Sequence, residues 1–155
     1  MTRGELAKLQ SVQNFPGMVP IESALTRRWI ERHGADYDLI EFNVRLGEGI
    51  DPGADVGDST RRLAQMVSTR RADIIATRGL FVTIVEVKER AGLSAMGQVQ
   101  GYGALWEDEY PNRDKPELVV VAKDTGPDVD AVLRSFGIKL ELYPDVNPPQ
   151  PAPAA

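Results

Sequence analysis

The chain contains no cysteine and only one histidine, His33, among its 155 residues. The first absence excludes disulfides and thiolate metal sites. The second removes histidine-cluster zinc sites and makes a histidine-based catalytic triad unattractive. No apolar run approaches the roughly 18 residues of a membrane span. The start, Met1-Thr2-Arg3-Gly4-Glu5, lacks the apolar stretch of a secretory signal. A cytoplasmic, non-secreted protein without membrane contact is therefore expected. Carboxylates, lysine, arginine and tyrosine remain for chemistry. Carboxylates are hard oxygen ligands and favour Mg²⁺, Mn²⁺ or Ca²⁺.

The length suits one domain around a single core. The net charge of −5 counts against an indiscriminate coat on nucleic acid but leaves room for a local basic surface. Arg61, Arg62, Arg70, Arg71, Arg78, Lys88 and Arg90 crowd the middle of the chain, and acidic residues weigh down the C-terminal third.

The patterning predicts an α/β protein. Residues 1–19 form an N-terminal extension with a short helix over Glu5–Val12. Pro20 opens a better helix reaching His33, because proline suits the first helical turn. Ile21, Leu25 and Trp29 fall on one face, Gly34 is a plausible stop, and His33 sits at the helix C-terminus. Alternating Leu39, Ile40, Phe42, Val44 and Leu46 argue a strand. Residues 47–58 read as a loop; Asp51, Asp55 and Asp58 do not match the ligand spacing of an EF-hand. A short helix over Ser59–Ser68 would turn Leu63, Met66 and Val67 inward.

Two apolar strands follow, Ala72–Thr77 and Leu80–Glu89, joined as a hairpin by Arg78-Gly79. A helix over Ser94–Glu107 comes next, then a strand over Glu117–Ala122. Leu118-Val119-Val120-Val121 within it suits burial on both faces. A helix over Pro127–Phe136, ended by Gly137, and a strand over Ile138–Tyr143 complete a domain at 20–145. The Pro/Ala-rich tail at 146–155 is expected to be extended and disordered. This order argues an α/β sandwich around a mixed sheet.

The chemistry concentrates in Ile84-Val85-Glu86-Val87-Lys88. Side chains alternate along a strand, so Glu86 and Lys88 share one face of an otherwise apolar element. Burying charge is costly unless it is paired or binds metal. Asp73 lies on the neighbouring strand, about 4.8 Å away if the hairpin forms. Two carboxylates can hold Mg²⁺ or Mn²⁺ and leave water positions open. Such an ion activates water and polarises a phosphate oxygen, Lys88 can orient that water or stabilise developing charge, and the Val87 carbonyl is placed as a further ligand. The alternative for Glu86 and Lys88 is an ion pair at a strand edge.

Asp73 followed by Glu86-Val87-Lys88 resembles the motif of the PD-(D/E)xK nuclease superfamily. The element order is similar to that family's αβββαβ core. Gln98-Val99-Gln100-Gly101-Tyr102 resembles the Q-x-x-x-Y motif of its RecB-like branch. Ala72 stands where the motif's name has proline, which is not a ligand. The resemblance covers Pro20 to Tyr143. It implies a restriction-endonuclease-like fold, a mixed sheet flanked by helices, and divalent-metal-dependent hydrolysis of DNA.

By the same resemblance, Gln98 and Tyr102 position substrate; otherwise they are a surface residue and a core aromatic. Glu22 is the candidate first-helix acid near the cation, although the helix dipole alone favours glutamate there. Arg61, Arg62, Arg70, Arg71 and Arg90 are candidate phosphate contacts. Trp106 and Tyr110 would either stack on bases or belong to the core. No P-loop is present, so ATP-driven movement would need another protein, and homodimerisation would enlarge a small DNA-binding surface. The expected settings are DNA repair, recombination or phage DNA processing. The rival function is a non-catalytic DNA-binding or assembly protein that keeps the nuclease fold.

Overall fold

In a computed structural model, residues 1–148 are described. The proline-rich tail from residue 149 onward lies outside them, as do the side chains of Met66 and Val67. The helices are α1 (Arg3–Ser11), α2 (Pro20–His33), α3 (Asp58–Ser68), α4 (Leu93–Glu109) and α5 (Val129–Ser135). The strands are β1 (Leu39–Leu46), β2 (Arg70–Arg78), β3 (Phe81–Ala91), β4 (Glu117–Thr125) and β5 (Ile138–Leu142). The strands form one sheet in the order β1-β2-β3-β4-β5. The β1–β2 and β2–β3 pairs are antiparallel, whereas β3–β4 and β4–β5 are parallel. This is the mixed α/β architecture with an αβββαβ core that the element order led one to expect.

Each face of the sheet buries one apolar cluster. On one side Ile21, Leu25, Trp29 and Ile30 of α2 pack against Ile74, Val85, Val87 and Val121. On the other, Ala95, Val99, Tyr102 and Trp106 of α4 and Leu133 of α5 pack against Ile75, Ile84 and Val120. Leu25, Trp29, Ile74, Ile84 and Val85 are essentially inaccessible to water. Burying a side chain of this size contributes roughly 1.5–3 kcal/mol, so most of the packing energy is concentrated on the middle strands. No described helix is long and apolar enough to cross a membrane.

Several sequence expectations are corrected. The hairpin turn is Gly79-Leu80, since Arg78 still pairs with Phe81. Gly79 supplies the positive φ of 57° that a tight two-residue turn needs. The strands are longer than expected, so Arg70 and Arg71 lie within β2 and Arg90 within β3 rather than just outside them. Gly34 does stop α2 as expected, but with a φ of −57° rather than in the left-handed conformation. The residue is buried, and a Cβ there would come within 2.6 Å of Leu6 Cδ1, so close packing of the α1 region explains the glycine. Leu63, expected inward, is exposed.

Candidate active site

Glu86 sits mid-way along β3 and is 1% exposed. Its Oε1 lies 2.7 Å from Lys88 Nζ, the same-face neighbour that strand alternation requires. Its Oε2 is buried with no hydrogen-bond partner. Asp73 stands beside it where the β2–β3 ladder stops, the last pair being Ile74 with Val85. There the Val87 N–H donates to Asp73 Oδ2 at 2.8 Å. The two carboxyls therefore converge at a fork between strands, with Lys88 as the adjacent cation.

The electrostatics follow from burial. Desolvation, and then the Asp73 charge, push the Glu86 carboxyl up to about 7, although Lys88 pulls the other way. Asp73 is raised chiefly by burial, with Glu22 adding to the effect and the Val87 N–H and Lys88 opposing it. For Lys88, burial disfavours the ammonium, but Glu86, Asp73 and Glu22 outweigh it and its pKa is raised. Lys88 is thus a fixed cation at neutral pH. Tyr102 is pushed up to about 12 by burial and by the charges of Glu86 and Asp73, so its phenol stays protonated as a donor.

Glu22 occupies the first turn of α2, where its Oε2 accepts from the Val19 N–H at 3.0 Å. Its charge is felt at Asp73 and Lys88. Among the described residues, however, no three acidic or imidazole side chains converge as a metal-binding group. A cation here would have two carboxylates, and the orphaned Glu86 Oε2 is a group that a cation would satisfy. The donor set therefore fits a hard divalent ion that keeps several waters, as Mg²⁺ does.

Tyr102 and Gln98 border an open groove of about 550 Å³, shared with Arg70, Ser94, Gly97 and Gly101. Of the arginines, Arg70 lines this groove, while Arg71 is exposed on β2. Arg61 pairs with Asp51 and Arg90 with Asp124, both at the solvent-exposed surface. Arg62 borders a separate depression with Asp58, Arg61 and Gln65. Trp106 is buried and Tyr110 partly exposed, with ring centroids 4.2 Å apart. His33 is at the end of α2 and meets Glu141 at 2.9 Å. Sequence reasoning missed Asn43, whose φ of 53° breaks β1 opposite Asp73; a lone asparagine among alternating apolar residues was the available signal.

No family model matches the chain, and no curated protein matches it. Solved structures do. A repair endonuclease from Pyrococcus abyssi is similar at 16% identity and a TM-score of 0.42, covering 70% of this chain and 40% of that one. An EndoMS–dsDNA complex is similar at 14% identity and a TM-score of 0.49, covering 90% of this chain and 51% of the other. EndoMS in its apo form gives 16% identity and a TM-score of 0.45, with 79% and 45% covered. The chain thus spans about half the length of the solved structures it resembles, and its chemistry has to be read from its own side chains.

Proposed function

We propose that this chain is a divalent-metal-dependent deoxyribonuclease that hydrolyses phosphodiester bonds at the Asp73–Glu86–Lys88 site. The observation that carries this reading is the buried Glu86 carboxylate, with Oε1 on Lys88 and Oε2 unpartnered beside Asp73. Two carboxylates held together away from water are destabilising unless something positive joins them. Lys88 supplies one positive charge and leaves an oxygen bare.

Asp73, Glu86 and the Val87 carbonyl would hold Mg²⁺ or Mn²⁺. Such an ion supplies positive charge at the scissile phosphate and lowers the pKa of water. Lys88 keeps its ammonium at 2.7 Å from Glu86. It would orient the attacking water and offset negative charge on the phosphate, acting by charge and hydrogen bonding rather than as a base. Tyr102 would donate a hydrogen bond from its phenol to a phosphate oxygen, and Gln98, four residues earlier on the same helical face, would help fix the strand. Arg70, at the rim of the same groove, would meet a neighbouring phosphate.

The test is cleavage of plasmid and oligonucleotide DNA with Mg²⁺, with Mn²⁺ and with chelator, for the wild type, Glu86→Gln and Lys88→Met. Metal-dependent cleavage lost in both folded variants supports the reading. Absence of cleavage and of metal binding in the wild type overturns it.

A further inference from the structure

We propose that Asn43, on the edge strand β1, is a positioning residue that places Asp73 for metal binding by holding the sheet open. This rests on the reading of Asp73 and Glu86 as metal ligands. Asn43 and Asp128 are the non-glycine residues with positive φ among those described, at 53° and 62°. Asparagine tolerates this region better than most residues, and β-branched ones resist it.

The consequence runs across two strands. Phe42 pairs with Ile74 and Val44 with Ala72, but the intervening pair, Asn43 with Asp73, is missing from the ladder. The faces change at the same place. Ile40 and Phe42 pack with the α2 cluster, whereas Val44 and Leu46 pack with the α4 cluster. In a regular strand all four would share a face. β2 shows the same reversal, with Ile74 on the α2 side and Ala72 on the α4 side.

The break frees the end of β2 next to the site. The pairs Ile75 with Ile84 and Ile74 with Val85 extrapolate to Ala72 opposite Val87. That ladder is not continued, and the Val87 N–H meets the side chain of Asp73 instead, at 2.8 Å. A straight β1 would draw Asp73 back into the β1–β2 ladder and take its carboxylate away from that N–H. The segment before α2 passes close to the kink: a Cβ added to Gly17, whose φ is 76°, would lie 3.1 Å from Asn43 Oδ1.

The experiment compares wild type, Asn43→Gly, Asn43→Ala and Asn43→Val. Circular dichroism checks folding, amide exchange at Val87 is read by NMR, and Mn²⁺ affinity is measured by calorimetry. Asn43→Gly keeps the left-handed conformation and should leave both readouts within about threefold of wild type. Asn43→Val should speed Val87 exchange at least about tenfold and weaken Mn²⁺ binding roughly ten- to hundredfold, the range seen when a group orienting a metal ligand is lost. If the valine variant does not fold, Asn43→Ala replaces it, with the same direction expected. Wild-type exchange and affinity in the folded valine or alanine variant would overturn the proposal. A wild type that binds no Mn²⁺ would sink the metal-site reading instead, while Val87 exchange still decides whether Asn43 positions Asp73.

Discussion

Replacing Glu86 by glutamine should make the metal-free protein more stable at pH 8. Glu86 is 1% exposed, and its carboxyl moves from an ordinary 4.5 up to about 7 in the fold. At 1.36 kcal/mol per pKa unit that difference is worth about 3 kcal/mol, already net of the attraction to Lys88. Glutamine has nearly the same shape, accepts from Lys88 through its oxygen and can donate its N–H toward Asp73. The sign follows from proton binding. Between pH 4.5 and 7 the folded state holds a proton on Glu86 that the unfolded chain has released, so this residue makes stability fall as pH rises through that window. Below it the penalty vanishes, and above it the full penalty persists. Urea unfolding of wild type and Glu86→Gln, in chelator, across pH 5 to 8 measures the difference directly. The gap should open as pH rises and level off above 7. Thermally it should reach roughly 6–12 °C for a chain of this size. A glutamine variant less stable than wild type at pH 8, or a gap that ignores pH, would refute the reasoning that buried charge is stored here.

Metal should invert that order: at a concentration one thousand times Kd, Mg²⁺ or Mn²⁺ adds about 4.1 kcal/mol to wild-type stability, whereas Asp73→Asn and Glu86→Gln should gain little in thermal melts. Because a cation must displace the proton on Glu86, Mn²⁺ affinity measured by calorimetry should rise with pH up to about 7 and flatten beyond it. Tyr102→Phe removes a donor while keeping the buried ring, so cleavage should slow by about ten- to a hundredfold with metal affinity unchanged; loss of metal binding would place Tyr102 among structural residues. Leu25→Ala, at a fully buried position of α2, should cost about 2–5 kcal/mol in urea unfolding without altering metal affinity per folded molecule.

The elements that periodicity and punctuation describe were legible in the sequence. Pro20 to His33 is a helix with those bounds, because proline at its start and the repeat of Ile21, Leu25 and Trp29 both act within a few residues. The apolar run Leu118-Val119-Val120-Val121 became the inner strand β4, paired on both sides. Glu86 and Lys88 were placed on one face by strand alternation alone. What escaped depends on distant partners. The exposed pairs of Arg61 with Asp51 and of Arg90 with Asp124 could not be read along the chain. Glu22 gives one oxygen to its own helix end while its charge is felt at Asp73, a combination that composition cannot show. Leu63 was turned inward by helical periodicity, but it is exposed, because periodicity gives the spacing of a face and not which face meets the core. The missing pair at Asn43 is a property of two paired strands, and along β1 alone only the asparagine itself hinted at it.

The central claim is that Asp73, Glu86 and Lys88 form a metal-dependent nuclease centre. Cleavage of a panel of single-stranded, double-stranded and branched DNA by wild type and by folded Lys88→Met, with Mg²⁺ or Mn²⁺ present, tests it most directly. The account predicts cleavage of at least one substrate by wild type, abolished by chelator. It further predicts a loss of at least about a hundredfold in Lys88→Met with Mn²⁺ still bound. Equal cleavage by the two proteins, or none by wild type on any substrate with either metal, would contradict it.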